Sequence, residues 1–246
     1  MKQESLSNRL INTKFGIEFT KVLAPLTGKH LKIYLKNKVT LYDDIGDDKE
    51  KKLKEIGHYY GHLQTAISDL ELVLAFLRFD NRKLILELFP NLDTQEQYYK
   101  YHLENFIIRI TTITEIVGKL GNSIYETGLP EEKCNGYKFK EEIKKTDPKC
   151  SAILEKLLIN TKEIKDKRHR KLHSGDTGIG YFEGIVFWDE LSKIINTDAN
   201  PILDELTDNN IEEEIERLQK ELNHIIDLVV EFTDYATGKF IEIVNR

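Results

Sequence analysis

The amino-acid sequence predicts an all-α protein whose main part is an antiparallel four-helix bundle with an irregular N-terminal appendage. Apolar residues recur in alternating steps of three and four along four long segments, which is the pattern of an amphipathic helix. Residues that typically begin or end helices flank these segments. Helices with one apolar stripe each have to bury it against one another. The simplest arrangement that does so is an antiparallel bundle with left-handed packing.

The first two helices are predicted from their stripes and their ends. Asp47-Asp48 supplies suitable N-cap residues for the first helix, and Thr94 with Gln97 fits a capping box for the second. Gly128-Leu129-Pro130 closes the second helix. The two stripes consist of Leu53, Ile56, Tyr60, Leu63, Ile67, Leu70, Leu74 and Leu77, and of Leu103, Phe106, Ile110, Ile113, Val117, Leu120 and Ile124.

The third helix is predicted to begin at Asp147-Pro148, with Asp as the cap and Pro in the first turn, and to stop at Ser174-Gly175. The fourth carries its stripe from Ile211 to Ala236. Residues 129–147 are predicted to be a polar connection. The segment 175–188, rich in Gly and aromatic residues, is predicted to be an ordered loop that precedes a short helix near 189–195.

The predicted domain boundary lies at residue 47. Residues 1–47 form the appendage, for which short helices and a small hairpin are both compatible with the sequence, and residues 48–246 form the bundle. Apolar residues beside the stripes indicate wider faces, which are suited to a dimer interface as well as to a core. These are Val73, Phe76, Ile107 and Ile226.

Composition bounds the function. The chain has 246 residues, a net charge of −6 and 32% charged residues. Net acidity argues against a protein that coats nucleic acid without specificity. No apolar run approaches the roughly 20 residues needed to cross a bilayer, and the N-terminus lacks a secretory core, so we expect no membrane partner and a cytoplasmic location. The two cysteines are expected to stay reduced, with a reactive thiol at Cys134 disfavoured.

A basic segment stands out within this acidic chain. Between Lys165 and His173, five cations and two histidines are opposed only by Asp166. One interpretation is a helix C-terminus that cations decorate because the helix dipole favours them. The other is a site for RNA, since histidine moves protons near neutral pH and arginine binds phosphate oxygens in a bidentate fork.

RNA cleavage without a metal needs three things from a protein. The 2′-hydroxyl has to lose its proton, the leaving 5′-oxygen has to gain one, and charge on the phosphorus has to be neutralised. One His and one Arg supply part of this, and a twofold-related copy would complete it. Arg168 and His173 lie about 140° apart on a regular helix. We therefore expect the backbone to turn at His173, where Ser174-Gly175 stops the helix.

The Arg168-x4-His173 spacing, late in the third long helix and with a polar residue after the Arg, resembles the R-x4-6-H motif of the HEPN superfamily. The resemblance implies a helical homodimer in which two motifs meet to form an endoribonuclease site without metal or cofactor. Arg168 would bind the scissile phosphate and His173 would act as acid or base. His169 would orient the pair or touch RNA. Neighbouring RNA contacts are expected from Arg170, Lys171, Lys167 and Tyr181.

The same resemblance points to RNA processing or to toxin-type and antiviral defence, in which a cognate antitoxin is an expected partner. It also implies a supporting polar residue on the second helix, for which Glu104 and Arg109 are the candidates. A non-catalytic helical module that binds RNA or a partner protein stays open as the alternative function. His58 and His62, four residues apart, raise a metal-dependent bundle as a third. No Glu-x-x-His partner appears on another helix to support it.

Overall fold

The structure is a computed structural model that describes residues 5–37, 46–78, 87–88, 92–174 and 200–246. Within these ranges, it leaves undescribed the side chains of residues 37, 92–97, 99–100, 163, 165, 167–174, 200–211 and 214. The described part contains α-helices and one 3-10 turn, without a β-strand, which confirms the all-α prediction. The α-helices are α1 (Leu6–Ile11), α2 (Lys14–Asn37), α3 (Asp48–Leu77), α4 (Leu92–Tyr125), α5 (Gly136–Ile143), α6 (Pro148–Ser174) and α7 (Asn200–Asn245).

The first predicted bundle helix, α3, begins where its cap predicts. The Asp47 carboxylate accepts a hydrogen bond of 2.8 Å from the amide of Glu50, which satisfies one of the free amides of the first turn. Every residue of the predicted stripe is buried, from Leu53 to Leu77. The sequence pattern therefore located both the start and the buried face of this helix.

Helix α4 differs from its prediction at the start. It begins at Leu92, so Thr94 and Gln97 lie inside its first turns and the capping box predicted there is wrong. Its stripe from Leu103 to Ile124 is buried as predicted. At its end, Glu126 adopts a positive φ of 52° directly after the last helical residue. This is the left-handed conformation that commonly terminates helices.

A short helix occupies part of the segment predicted to be a polar connection. A 3-10 turn covers Glu131–Lys133, and α5 follows over Gly136–Ile143. The Asn135 side chain caps α5 by accepting from the Lys138 amide at 3.0 Å. Phe139 and Ile143, four residues apart, are its buried contacts. Two apolar residues are too few to form a recognisable stripe, which is why the sequence pattern did not predict this helix.

Helix α6 begins at its predicted cap, and α7 extends beyond its predicted stripe. Asp147 caps α6 by accepting from the Cys150 amide at 3.0 Å. The helix then runs to Ser174. Helix α7 is longer than its stripe predicted, since it spans Asn200–Asn245 and buries Phe240 and Ile243 beyond Ala236.

Neighbouring helices run antiparallel. Asp69 of α3 pairs with Arg109 of α4, and Phe76 of α3 contacts His102 of α4. The later residue of α3 therefore meets the earlier residue of α4, as in an antiparallel pair. Along α6 and α7, the Tyr235 hydroxyl donates to Asp147 at 3.0 Å. Farther along the same pair, Lys156 reaches Glu231 at 3.0 Å.

Residues 5–37 form helices rather than the hairpin that the sequence also allowed. The Phe15 ring packs against Tyr60 of α3 and Phe240 of α7, with ring centroids 5.1 and 5.0 Å apart. The Tyr60 hydroxyl donates a hydrogen bond of 2.8 Å to the Leu10 carbonyl. These contacts join α1 and α2 to the same hydrophobic core as α3 and α7.

The chain divides into two compact units. Unit 1 comprises Met1–Ser68, Thr112–Thr161 and Ile225–Arg246, and unit 2 comprises Asp69–Thr111 and Lys162–His224. Of the apolar residues beside the stripes, Val73 and Ile226 are buried, whereas Phe76 is exposed and Ile107 is partly exposed.

We expect Gly118→Ala to destabilise the protein by about 1–3 kcal/mol, the usual cost of overpacking. A Cβ at position 118 would overlap the backbone of Asn135, where no flexible side chain can yield. Gly238→Ala is the matched control, since it also lies inside a long helix but its Cβ meets nothing within 4 Å. That substitution should stabilise by up to about 1 kcal/mol. Urea denaturation compares the two, and equal effects would contradict the close approach of α4 and α5.

The two thiols should react only when the protein unfolds. Cys134 and Cys150 are free and buried. Burial raises the pKa of both thiols, that of Cys150 to about 12, so at pH 8 the reactive thiolate is scarce as well as covered. Ellman's reagent should therefore react slowly with native protein and rapidly in denaturing urea. Fast stoichiometric labelling of native protein would contradict this burial.

Candidate functional site

The basic histidine motif lies in the last two turns of α6. The backbone is helical from Pro148 through Ser174, so Arg168, His169 and His173 all occupy helical positions. The expected backbone turn at His173 is absent, because the helix continues one residue past it. Positions 168 and 173 therefore differ by about 140° around the axis of α6, whereas positions 169 and 173 differ by about 40°.

The side chains of the predicted site lie outside the described residues. This holds for the three catalytic candidates Arg168, His169 and His173. It holds equally for the RNA-binding candidates, which are Lys167, Arg170, Lys171 and Tyr181. The described residues also exclude the whole Gly-aromatic segment 175–188, with Tyr181, and the short helix predicted near 189–195. The roles given to these residues stay predictions.

The position of the motif has an electrostatic consequence. Carbonyl groups at the end of a helix lack intrahelical partners and carry partial negative charge. Within α6, residues 162–174 carry six Lys or Arg residues against Glu163 and Asp166. The end of α6 is therefore a place where concentrated positive charge is compatible with helix stability.

Arg109, one of the two candidates for a supporting residue, already has a partner in unit 2. Its guanidinium donates to the carboxylate of Asp69 on α3, and both side chains are partly exposed. Glu104, the other candidate, lies one and a half turns earlier on α4 and is partly buried. The ion pair ties α3 to α4 in the compact unit that also contains residues 162–174.

A cluster of four rings in unit 2 was not predicted from the sequence. The His102 ring lies at the centre, with ring centroids 4.5 Å from Tyr98, 5.2 Å from Phe76 and 5.3 Å from Tyr101. The Tyr98 hydroxyl donates a hydrogen bond of 3.0 Å to the Phe76 carbonyl. The signal available in the sequence was the run Tyr98-Tyr99-Lys100-Tyr101-His102, in which four of five residues carry a ring.

The cluster is partly solvent-exposed and has little charge of its own. Tyr101 is 62% exposed and Phe76 is 41% exposed. Burial lowers the pKa of His102, because desolvation disfavours the imidazolium. At neutral pH, the central ring is therefore mainly an uncharged imidazole.

The paired histidines of α3 form a separate feature in unit 1. The rings of His58 and His62 have centroids 4.1 Å apart, and both side chains are exposed. Glu131 lies close enough to His58 to interact with it electrostatically. The pKa of the Glu131 carboxyl group is lowered by a hydrogen bond from Tyr59 and by the positive charge of Lys119. Among the described residues, no three His, Cys, Asp or Glu side chains are grouped so that they could hold a metal ion.

None of the described helices contains a stretch that combines the length and the apolar character needed to cross a bilayer.

Comparison with known proteins identifies the family of this chain. The model of a family described as HEPN_Cthe2314-like HEPN matches residues 59–237, which is well over half of the chain. The matched region contains all of α4, α5 and α6, and with them the Arg168–His173 motif. No curated protein and no solved structure matches the chain. Because the family match covers most of the bundle, the chain belongs to the HEPN superfamily, as a member of its HEPN_Cthe2314-like family.

Proposed function

We propose that this protein is a metal-independent endoribonuclease of the HEPN type that acts as a homodimer. The observation that carries the proposal is the position of Arg168-x4-His173, which lies in the last turns of α6 and inside the region that matches the HEPN family. Residues of these two types can bind a phosphate and move a proton. RNA supplies the nucleophile as its own 2′-hydroxyl group.

The proposed reaction consumes no water and needs no metal ion. A base removes the proton of the 2′-hydroxyl, whose oxygen attacks the adjacent phosphorus while the bond to the 5′-oxygen breaks. An acid protonates that leaving oxygen, which yields a 2′,3′-cyclic phosphate and a 5′-hydroxyl end. His173 would provide the acid or base at one end of this transfer, and Arg168 would neutralise charge on the phosphate. His169 would orient the pair or contact RNA.

The helical register supports a site shared between two copies. Because positions 168 and 173 differ by about 140° around α6, one helix presents them in different directions. A second motif, brought in by a twofold axis, would supply the missing acid, base or phosphate contact. Arg170, Lys171 and Lys167, on the same turns, would bind neighbouring phosphates, and Tyr181 would contact a base.

Membership of the superfamily supports a role in RNA processing or in toxin-type and antiviral defence, for which a cognate antitoxin would be a partner. The same helical register is also compatible with a non-catalytic module that binds RNA or protein. Such a module would need the cations of α6 without a reactive His–Arg pair. Cleavage in the absence of metal separates the two functions.

We expect purified protein to cleave end-labelled single-stranded RNA in excess EDTA. Arg168→Ala and His173→Ala should each reduce the rate about 100-fold or more, the usual contribution of one acid–base or charge-stabilising group. Arg168→Lys should recover only part of the loss, because an ammonium lacks the bidentate fork. Gel analysis with identification of the cyclic phosphate provides the measurement.

Arg78→Ala and His62→Ala are the matched controls for this assay. Both side chains are exposed in the structure and lie outside the motif, so both variants should keep the wild-type rate. Binding of RNA by the wild-type protein with no cleavage would favour the non-catalytic module instead. Cleavage that EDTA abolishes would contradict the metal-independent mechanism.

Mixing subunits tests whether each site needs both copies. If a defective subunit inactivates its dimer, an equal mixture of wild-type and His173→Ala chains should retain about a quarter of the activity of the same total amount of wild-type dimer, because random pairing leaves that share of dimers intact. Independent sites would retain about half. The mixture is unfolded, refolded together and assayed in EDTA, and a residual rate near one half would contradict the shared site.

A further inference from the structure

Helix α3 carries two metal-ligating side chains that the proposed reaction does not use, His58 and His62, which we call the histidine pair. We propose that the histidine pair binds a divalent transition-metal ion, Zn²⁺ or Ni²⁺, through its two imidazoles, with water in the remaining coordination positions. The pair lies in unit 1, whereas the last turns of α6 lie in unit 2. The inference goes beyond the proposed function and does not depend on it.

The helix sets the spacing of the histidine pair. Residues four apart differ by about 40° around a helix axis and lie about one turn apart, so both imidazoles are on the same face of α3. Their ring centroids are 4.1 Å apart, with an interplanar angle of 45°. An ion bound by two imidazoles at about 2.0–2.1 Å holds the two nitrogens roughly 3 Å apart. The rings therefore lie close enough to share one ion after rotation about their side-chain bonds.

Packing fixes the backbone that carries the histidine pair. Helix α3 spans Asp48–Leu77, so the pair lies several turns from either end. Tyr59, Tyr60 and Leu63, beside the pair in the sequence, are buried. The Tyr60 hydroxyl also donates to a carbonyl of α1. Because the backbone is held in place, binding an ion orders only the two imidazoles, which keeps the entropic cost of binding low.

The surface around the histidine pair is open to an ion from solvent. Both imidazoles are exposed. Gly61 has no side chain, and a Cβ at this position would meet nothing within 4 Å. Position 61 differs from position 58 by about 60° around the helix, so this open space lies beside the pair. A hydrated ion therefore has access to the ring nitrogens and has room to keep several of its water molecules.

The charge near the histidine pair favours a cation. Glu131 interacts electrostatically with His58, and a hydrogen bond from Tyr59 helps to lower the pKa of the Glu131 carboxyl group, which is therefore ionised at neutral pH. Lys119, at 3.5 Å from Glu131, offsets part of this negative charge. Among the described residues, no third ligand is grouped with the two histidines. We therefore expect an exchangeable ion rather than the closed four-ligand site of a structural zinc.

A second pair of histidines with the same spacing, His169 and His173 of α6, is the competing metal site in this chain. The test removes this competitor first, by measuring metal binding in a His173→Ala background. Cys134 and Cys150 are buried, so the thiols do not compete for the ion in the folded protein.

The test titrates untagged, full-length His173→Ala protein with Zn²⁺ or Ni²⁺ in a calorimeter, after metal has been removed with EDTA and the EDTA dialysed away. One equivalent should bind. Adding His58→Ala or His62→Ala should weaken binding about 10-fold or more, because loss of a mere hydrogen-bonding partner of a metal ligand already costs about 10- to 100-fold. Mg²⁺ should not bind, since it prefers oxygen ligands.

His224→Ala in the same background is the matched control. His224 is an exposed histidine on α7 with no other histidine within four positions, so it cannot form a pair of this kind. Its removal should leave affinity and stoichiometry unchanged. Thermal unfolding followed by circular dichroism gives a second measurement. Excess Zn²⁺ should raise the Tm of the parent and of the His224→Ala variant, because it binds the folded state, but not that of the His58→Ala variant.

The outcomes separate this inference from the proposed function. Binding of one ion that His58→Ala and His62→Ala each weaken supports the histidine pair as a metal site, whether or not the wild-type protein cleaves RNA. An affinity that either substitution leaves unchanged overturns it, even if RNA is cleaved at the α6 motif. Binding by the wild type that is lost entirely in His173→Ala assigns the ion to α6, and no binding by either protein leaves no site at all, so both results overturn it as well.

Discussion

Burial of the apolar stripes is the constraint on which the described structure depends. Each fully buried aliphatic or aromatic side chain contributes about 1.5–3 kcal/mol relative to its exposed state, and α3 buries an uninterrupted series from Leu53 to Leu77. Glycines at two positions of α4 allow the close approach between helices that this burial requires. Gly118 lets the start of α5 approach α4 closely, and Phe139 lies over Gly121 where no Cβ is present. Helix α2 adds Phe15 and Phe19 to the same core.

Helix α6 combines two different roles along one axis. Its first half buries Ile153, Leu154, Leu157 and Leu158, and Ile164 is buried one turn later. From residue 165 the sequence changes to cations and histidines while the backbone stays helical to Ser174. Lys and Arg are good helix formers, and the carbonyl end of a helix favours positive charge. The motif thus lies on the last turns of α6, after its buried apolar residues.

The sequence predicted the Arg168–His173 motif but not the ring cluster around His102, and the difference has a physical basis. Arg168 and His173 are five residues apart, so their spacing is visible along the chain. The ring cluster joins Phe76 of α3 to three residues of α4 more than twenty positions later. Which rings meet depends on the register of α3 against α4, and a one-dimensional pattern does not contain that register. The Asp69–Arg109 ion pair escaped prediction for the same reason.

By itself, the sequence determined the helical class, the buried faces of α3, α4 and α7, and the caps at Asp47 and Asp147, because periodicity and capping act over a few neighbouring residues. The three-dimensional structure decided that α4 starts at Leu92, that α5 forms between α4 and α6, and that residues 14–37 form one helix. It also decided that α6 stays helical past His173. These features depend on contacts between segments distant in the chain, or on the balance of several weak local preferences, and only packing resolves them.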